Sequence, residues 1–122
     1  MRVTFDFDST LDINVIQDYA EDLISRGLDV WVITTRNHSH FSEVKDVTDR
    51  LKIPPHRVLF TCGKDKVSAI KDLKPIFHLD DDWHELGLIN EQTDTVGISS
   101  FGNPHWREQC SIAIAEYKYE KN

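Results

Sequence analysis

The chain has 122 residues and a formal net charge of −7, with 39% hydrophobic and 29% charged residues. This length favours one domain with one hydrophobic core, and the hydrophobic content is too high for a disordered chain. The acidic balance argues against a broad nucleic-acid-binding surface, and an anionic ligand would have to be neutralised locally, most simply by a divalent cation.

From the N terminus onward, strand-like and helix-like segments alternate. Residues 2–8 are rich in β-branched and aromatic residues and predict a strand. Residues 15–27 predict a helix that ends at Gly27, because glycine is favoured just past a helix C terminus. Its expected buried face consists of Val15, Ile16, Tyr19, Leu23 and Ile24.

The rest of the chain continues the alternation. In order, the predicted segments are strand 29–35, helix 42–51, strand 57–62, helix 66–73, strand 75–80, helix 83–90, strand 95–101 and a closing helix that begins at Pro104. Such alternation predicts an α/β fold, a three-layer doubly wound sandwich around a central five-stranded parallel sheet. No linker divides the sequence, so residues 1–122 are expected to form a single domain.

Two features bear on the cellular setting. The two cysteines, Cys62 and Cys110, match no metal-ligand or redox spacing, which favours reduced thiols. No apolar run is long enough to span a bilayer, and the first residues do not form a signal segment. The sequence therefore predicts a cytoplasmic protein with no membrane partner.

Polar residues collect where the predicted strands end. They are Asp6, Asp8 and Thr10 after the first strand, Thr34, Thr35 and Arg36 after the second, Lys64 and Lys66 after the third, and Asp80, Asp81 and Asp82 after the fourth. In an open parallel sheet, ligands bind outside the carboxyl ends of the strands. These side chains are therefore expected to share one crevice.

Taken alone, each residue has an ordinary structural explanation. An aspartate after a strand commonly caps a helix, a threonine pair fills a strand, and a lysine at a helix start is solvated. Three consecutive aspartates are harder to explain in this way, since like charges repel one another unless a cation relieves them. Convergence of all these groups favours a common site.

The convergent set suits phosphoryl transfer. Carboxylates from two strands provide the oxygen ligands that Mg²⁺ prefers. One carboxylate can attack an electrophile while another passes protons. Hydroxyl and ammonium groups can hold the oxygens of a transferred phosphoryl group, where charge must be stabilised. The pattern predicts chemistry through an acyl-phosphate.

With these motifs, the sequence resembles the haloacid dehalogenase superfamily of phosphohydrolases over essentially its whole length. The DxDx(T/V) motif of that family is matched by VTFDFDST, the strand-closing Thr or Ser by WVITTR, the helix-opening lysine by KVSAIKDL, and the acidic pair by FHLDDD. The resemblance implies a sheet with the first strand in the middle and Mg²⁺-dependent hydrolysis of a phosphomonoester. The cap domain that family members usually carry has no counterpart, which implies an open site that suits a bulky substrate, an oligomer or a closing partner.

The resemblance also implies catalytic roles. Asp6 would be the nucleophile that forms a phosphoaspartate, and Asp8 would be the general acid and base. Thr34 and Lys66 would hold the transferred phosphoryl group, with Lys64 as the alternative lysine.

For the metal, the resemblance implies ligands from both acidic motifs. Mg²⁺ would be bound by the Asp6 carboxylate, the backbone carbonyl of Asp8 and the Asp80–Asp81 pair, with Asp81 the preferred direct ligand. Asp82 is expected to cap the next helix instead.

Substrate identity is left open between nucleotides, nucleic-acid ends, sugar phosphates and phosphoproteins. Arg36 is similar to an arginine of polynucleotide phosphatases in the superfamily, which implies a second phosphate contact, although a surface ion pair explains it equally. Trp83 is expected to pack on its helix in preference to stacking on a base. The residues predicted to contact substrate are Thr10, Thr35, Arg36, Asn37 and Lys64.

Two other functions fit parts of the pattern. A catalytically inactive binding or regulatory module would keep the fold without turnover. A receiver-type signalling domain has similar groups, but its phosphoacceptor aspartate ends the third strand, where this chain has Thr61 and Cys62.

Overall fold

The computed structural model describes residues 1–121 and contains a five-stranded sheet whose strands are all parallel. The strands are β1 (Arg2–Phe5), β2 (Asp29–Thr34), β3 (Val58–Phe60), β4 (Phe77–Asp80) and β5 (Val96–Ser99). The helices are α1 (Asn14–Ser25), α2 (Ser42–Leu51), α3 (Val67–Leu73), α4 (Trp83–Gln92) and α5 (Trp106–Lys121). The predicted α/β sandwich, with helices flanking a central parallel sheet, is confirmed.

The strand order is β3-β2-β1-β4-β5, so β1 lies in the middle of the sheet, as the resemblance implied. This order reverses direction at β1, because the chain moves outward to β3 on one side and then returns to β4 on the other. Ligands of doubly wound sheets bind at such a reversal, outside the carboxyl ends of the two strands involved. The strand order therefore predicts a binding site at the carboxyl ends of β1 and β4.

The first strand is shorter than predicted, and this shapes the site. β1 ends at Phe5, and the predicted strand residues 6–8 belong instead to a widened turn. In that turn the Leu11 N–H donates to the Asp6 carbonyl and the Asp12 N–H to the Phe7 carbonyl, both at 3.1 Å. The turn carries the chain from the sheet into α1.

Packing of α1 corrects one part of the predicted apolar face. Ile16, Tyr19 and Leu23 are buried, but Val15 is 51% exposed, because it lies at the second residue of the helix and faces away from the sheet. Gly27, with a φ of +87°, follows the helix end and donates to the Ile24 carbonyl at 3.0 Å. A left-handed glycine at this position is the usual way to satisfy the last carbonyls.

The closing helix begins two residues later than predicted. α5 starts at Trp106, and Pro104 lies in the turn before it, where the Asn103 side-chain oxygen accepts a hydrogen bond from the His105 N–H at 3.2 Å. Trp106 packs edge-on against Tyr19, with ring centroids 5.4 Å apart. That contact docks α5 against α1. Trp31, in β2, is half-buried.

No helix within residues 1–121 combines the length and the apolar character needed to cross a membrane. Within the same residues both cysteines are free, Cys62 at the surface and Cys110 in the core. Burial raises the pKa of the Cys110 thiol, which keeps that side chain protonated and unreactive.

Candidate active site

An acidic cluster forms where the two central strands end. The Asp6 N–H donates to the Leu79 carbonyl at 2.8 Å, which extends the pairing of β1 and β4 and sets Asp6 beside Asp80. One carboxylate oxygen from each of Asp6, Asp80 and Asp81 lies within 4.8 Å of the other two. The meeting of these strand ends, which the sequence predicted, is present in the structure. We call these three residues the acidic cluster.

Lys66 lies against the acidic cluster. Its Nζ contacts Asp6 Oδ1 and Asp80 Oδ2, each at 2.7 Å, and the side chain is only 2% exposed. A buried ammonium is stable only when it is paired, and here two carboxylates share it. Although burial lowers it, the charges of Asp6 and Asp80 keep the pKa of Lys66 above its usual range. Of the two lysines considered, Lys66 contacts the cluster, whereas Lys64 lies exposed at the surface.

Asp80 is fixed by three donors. Besides Lys66, the His78 ring contacts Asp80 Oδ2 through Nε2 at 2.8 Å, and the Asp82 N–H donates to Oδ1 at 3.0 Å. His78 is fully buried, and its Nδ1 meets the Thr4 hydroxyl at 2.8 Å. Burial lowers the pKa of His78, so the neutral ring donates from Nε2 and accepts from Thr4 at Nδ1.

The two buried aspartates differ in how readily they hold a proton. Burial raises the pKa of Asp6 to about 8, with the Lys66 charge opposing the change and the Asp80 charge adding to it. Burial acts in the same direction on Asp80, but the hydrogen bond from His78, together with the charge and hydrogen bond of Lys66, holds its pKa well below the usual range. Asp80 is therefore the ionised partner of Lys66, and Asp6 is the group that carries a proton when the cluster lacks further positive charge.

The charge balance of the site suits a divalent cation. If all three carboxylates were ionised, the ammonium of Lys66 would leave two negative charges uncompensated in a largely buried space, and a bound divalent cation would balance them. Carboxylate oxygens are the donors that Mg²⁺ prefers. Asp81 is half-buried and takes part in no ion pair among residues 1–121, so its carboxylate is free for a ligand role. The donor set thus fits the predicted metal, and the part assigned to the Asp8 carbonyl stays a prediction.

Asp8 pairs with Arg36, in the loop that follows β2. The guanidinium of Arg36 donates to both Asp8 oxygens, with Nη2 to Oδ1 at 2.7 Å and Nε to Oδ2 at 3.0 Å. These hydrogen bonds lower the pKa of Asp8. Arg36 also donates to the His40 carbonyl and contacts Glu43 at 3.4 Å. Of the two explanations for Arg36, the carboxylate pair is the one present.

The hydroxyl of Thr10 contacts Asp6, and Thr34 is buried at the end of β2. Thr10 is fully buried, and its hydroxyl donates to Asp6 Oδ2 at 3.3 Å and meets the Ser100 hydroxyl at 2.9 Å. Thr10 therefore orients Asp6, a position that does not suit the predicted substrate contact. Thr34 is also buried and accepts a hydrogen bond from the Arg36 N–H at 3.2 Å.

Two further candidates for substrate contact, Thr35 and Asn37, are exposed on the loop after β2. The Thr35 carbonyl accepts from the Gly63 N–H at 2.8 Å, which joins this loop to the one that precedes α3. Both residues are exposed and could meet a ligand.

The start of α4 closes the other side of the site. Asp82 caps this helix by accepting from the His84 N–H at 2.9 Å, as expected. Glu85 is buried and accepts the Lys66 N–H at 2.9 Å, which fixes the backbone of that lysine. Trp83, however, is 76% exposed, so the expectation that it packs on its helix is wrong.

Two residues of this network, His78 and Glu85, were not among the sequence candidates. His78 lies two residues before Asp80 in a buried strand, and alternate residues of a strand share a face. Glu85 lies three residues after a capping aspartate, which resembles a capping box, but its carboxylate binds Lys66 instead of its own helix. Both signals were present in the sequence.

Comparison of the chain with protein-family models and with curated proteins gives no match. What the site does is therefore inferred from its own residues and their chemistry.

Proposed function

We propose that the protein is a Mg²⁺-dependent phosphohydrolase of the haloacid dehalogenase type that forms a phosphoaspartate on Asp6. The observation that carries the proposal is the contact of Lys66 with both Asp6 and Asp80 at the end of the central strand. A nucleophilic carboxylate, a buried cation and two further carboxylates meet there, and all of them serve phosphoryl transfer. The sequence resemblance assigns the same residues the same tasks.

In the first step, an oxygen of Asp6 attacks the phosphorus and the bond to the leaving oxygen breaks. Lys66 contacts the nucleophile, and it serves to hold the phosphoryl oxygens as charge develops on them. The sequence resemblance assigns Thr34, at the end of β2, the same task. The leaving oxygen takes a proton from Asp8 when it needs one. Thr10 keeps Asp6 oriented by its hydrogen bond to Oδ2.

In the second step, water attacks the phosphoaspartate, Asp8 accepts its proton, and phosphate leaves as Asp6 is restored. The pairing of Asp8 with Arg36 favours the ionised carboxylate, which suits proton acceptance in this step. It suits proton donation less well, so leaving groups of low basicity are favoured.

Asp6, Asp80 and Asp81 would hold the metal ion. When bound, Mg²⁺ supplies the positive charge that keeps Asp6 ionised and offsets the charge of the phosphoryl group. The raised pKa of Asp6 supports this assignment, because burial and the neighbouring Asp80 disfavour its ionised form and the charge of Lys66 alone does not offset them.

The strand order argues against a receiver domain, because receivers have the order 2-1-3-4-5 and this sheet has β1 in the middle. An inactive binding module with the same fold remains the alternative to an enzyme. We place the protein in the cytoplasm, as a single domain without a cap, acting on a phosphorylated small molecule or nucleic-acid end.

Hydrolysis of p-nitrophenyl phosphate tests the proposal. The wild type is expected to release p-nitrophenol with Mg²⁺ and not with excess EDTA, and Asp6→Asn to abolish release while keeping the circular dichroism spectrum. Asp72→Asn makes the same chemical change at an exposed position of α3 and is expected to leave activity unchanged. Equal rates for the wild type and Asp6→Asn would leave the inactive module as the better explanation.

A further inference from the structure

Two large aromatic side chains are exposed on the rim of the site. Trp83 is 76% exposed and Phe101 is 71% exposed. Trp83 is the first residue of α4 and lies two residues after Asp81 of the acidic cluster. Phe101 follows Ser100, whose N–H donates to the Asp80 carbonyl at 2.9 Å. Both aromatics thus follow the carboxyl ends of neighbouring strands, β4 and β5, beside the carboxylates.

The backbone beneath each ring is held in place. At Trp83, the Asp82 cap and the Glu85 contact with the Lys66 N–H at 2.9 Å fix the first turn of α4. The neighbouring His84 Nε2 contacts Asp65 at 3.3 Å, which ties the same turn to the loop before α3.

At Phe101, the side chain of Ser99 bonds the backbone of residue 101, donating to its carbonyl at 3.1 Å. Asn103 donates to the Ser99 carbonyl at 2.9 Å and closes the loop. A ring on a fixed backbone loses little entropy when a ligand covers it, so such positions are suited to stacking.

We propose that Trp83 and Phe101 form a stacking rim for the planar base of a nucleoside monophosphate, whose phosphate is the group attacked by Asp6. This inference rests on the proposed function, since it takes the phosphoryl site as fixed. The group attached to phosphorus would extend from the carboxyl edge of the sheet, and both aromatics follow strands that end at this edge. A nucleobase covers an aromatic face without adding charge to an acidic rim.

Charge favours a mononucleotide over a polynucleotide. Each additional nucleotide would add a phosphate to a chain of net charge −7, whose loops around the site also carry Asp65, against His84, and Asp82, at the start of α4. Arg36 is already paired with Asp8 at 2.7 Å and contacts Glu43 at 3.4 Å. Its charge is therefore largely balanced, whereas polynucleotide binding needs several free cations along the backbone path.

The test compares adenosine 5′-monophosphate with ribose 5-phosphate, which differ only in the base. For the wild type we expect a KM about tenfold lower for the nucleotide, with similar kcat. Trp83→Ala and Phe101→Ala should each raise KM for the nucleotide severalfold and leave ribose 5-phosphate unchanged. Trp83→Phe, which retains an aromatic ring, should stay near wild type.

Tyr119→Ala is the matched control, because Tyr119 is 84% exposed near the end of α5 and far along the helix from the site. The stacking rim would be overturned by equal KM values for the two substrates in the wild type, or by equal effects of Tyr119→Ala and Trp83→Ala. Neither result would contradict the proposed phosphohydrolase activity. A preference for a 3′- or 5′-phosphorylated oligonucleotide over the mononucleotide would overturn the choice of substrate class.

Binding without turnover separates this inference from the proposed function. In Asp6→Asn, adenosine is expected to quench tryptophan fluorescence, and the quenching should be lost in the double variant with Trp83→Phe, since Trp31 and Trp106 are half-buried. Quenching in a protein that hydrolyses no phosphate ester would support the rim and overturn the enzyme. Turnover of p-nitrophenyl phosphate without any quenching by adenosine would support the enzyme and overturn the stacking rim.

Discussion

The guanidinium of Arg36 donates hydrogen bonds to both carboxylate oxygens of Asp8, at 2.7 Å and 3.0 Å. Such a two-pronged pair fixes orientation as well as charge. Arg36 also lies over the ring of Phe7, 5.2 Å from its centroid, so its own position is constrained. The proposed acid and base, Asp8, is thus held by a residue of the loop after β2.

We expect Arg36→Ala to move the acid limb of the pH profile of kcat to higher pH. Hydrogen bonds from Arg36 are the main cause of the lowered pKa of Asp8, so their loss lets this pKa rise toward its ordinary value. The ionised form needed to accept a proton from water would then be lost at a higher pH. The measurement is kcat for p-nitrophenyl phosphate across the acidic range.

Arg36→Lys separates charge from geometry in this experiment. The lysine keeps a cation but cannot donate to both oxygens at once, so an intermediate shift is expected. An unchanged acid limb in Arg36→Ala would show that Asp8 is not the base that titrates.

Removing the buried lysine is expected to weaken both fold and activity. Lys66→Met keeps much of the volume but leaves Asp6 and Asp80 buried without their shared cation. The free energy of unfolding should fall by about 3–5 kcal/mol, as when one partner of a buried ion pair is lost. Turnover should fall by about 10²–10³, comparable to losing one preorganised donor. Urea unfolding and p-nitrophenyl phosphate hydrolysis measure the two effects.

Lys64→Met is the control, because this lysine is exposed and is expected to change stability by less than about 0.5 kcal/mol. If Lys64→Met were inactive and Lys66→Met near wild type, the assignment of the phosphate-binding lysine would be wrong.

The fold could be predicted because each segment has its own local pattern. α2 was predicted at its observed bounds, since Pro54 and Pro55 stop the helix pattern soon after Leu51. The end of β1 was missed because residues 6–8 keep a strand-like composition while the backbone turns, with Ser9 at a φ of 58°. Nothing in the sequence of that turn marks it as the point where the strand stops.

The site was predictable to the level of strand ends and no further. Topology alone brings Asp6 beside Asp80, because parallel strands end at the same edge. Which donors each carboxylate receives depends on side-chain packing, so the buried pairing of His78 with Asp80 was missed. The direction of Asp8 depends on loop geometry after two strands, which sequence periodicity does not describe.

Stability in EDTA is expected to fall as pH rises from about pH 7 to pH 8. The pKa of Asp6 is raised by burial from 3.8 to about 8, so the folded protein holds a proton there that the unfolded chain releases. The free energy of unfolding must then decrease with pH, by at most about 1.4 kcal/mol per pH unit. His78, whose pKa is lowered by burial, gives the opposite slope mainly below its ordinary value of 6.5.

Urea unfolding at several pH values measures this slope. Asp6→Asn should lack it, because the amide does not titrate. Saturating Mg²⁺ should reduce the slope in the wild type, since the cation favours ionised Asp6 and so contributes more stability as pH rises. A wild-type slope that matches that of Asp6→Asn would mean that Asp6 is ionised without metal.

His78 should matter to the metal although it is not expected to touch it. His78→Leu removes the Nε2–H that donates to Asp80 Oδ2 at 2.8 Å and leaves the Thr4 hydroxyl without its ring partner. Groups that orient a ligating carboxylate commonly change metal affinity by about 10–100-fold when removed. We therefore expect the Mg²⁺ concentration that gives half-maximal activity to rise by about 10–100-fold, with kcat largely recovered at saturating Mg²⁺. His78→Gln can still donate to Asp80 and should retain more affinity. A Mg²⁺ titration of His78→Leu that overlays the wild type would show that Lys66 and the Asp82 N–H orient Asp80 sufficiently, and the histidine would then serve packing alone.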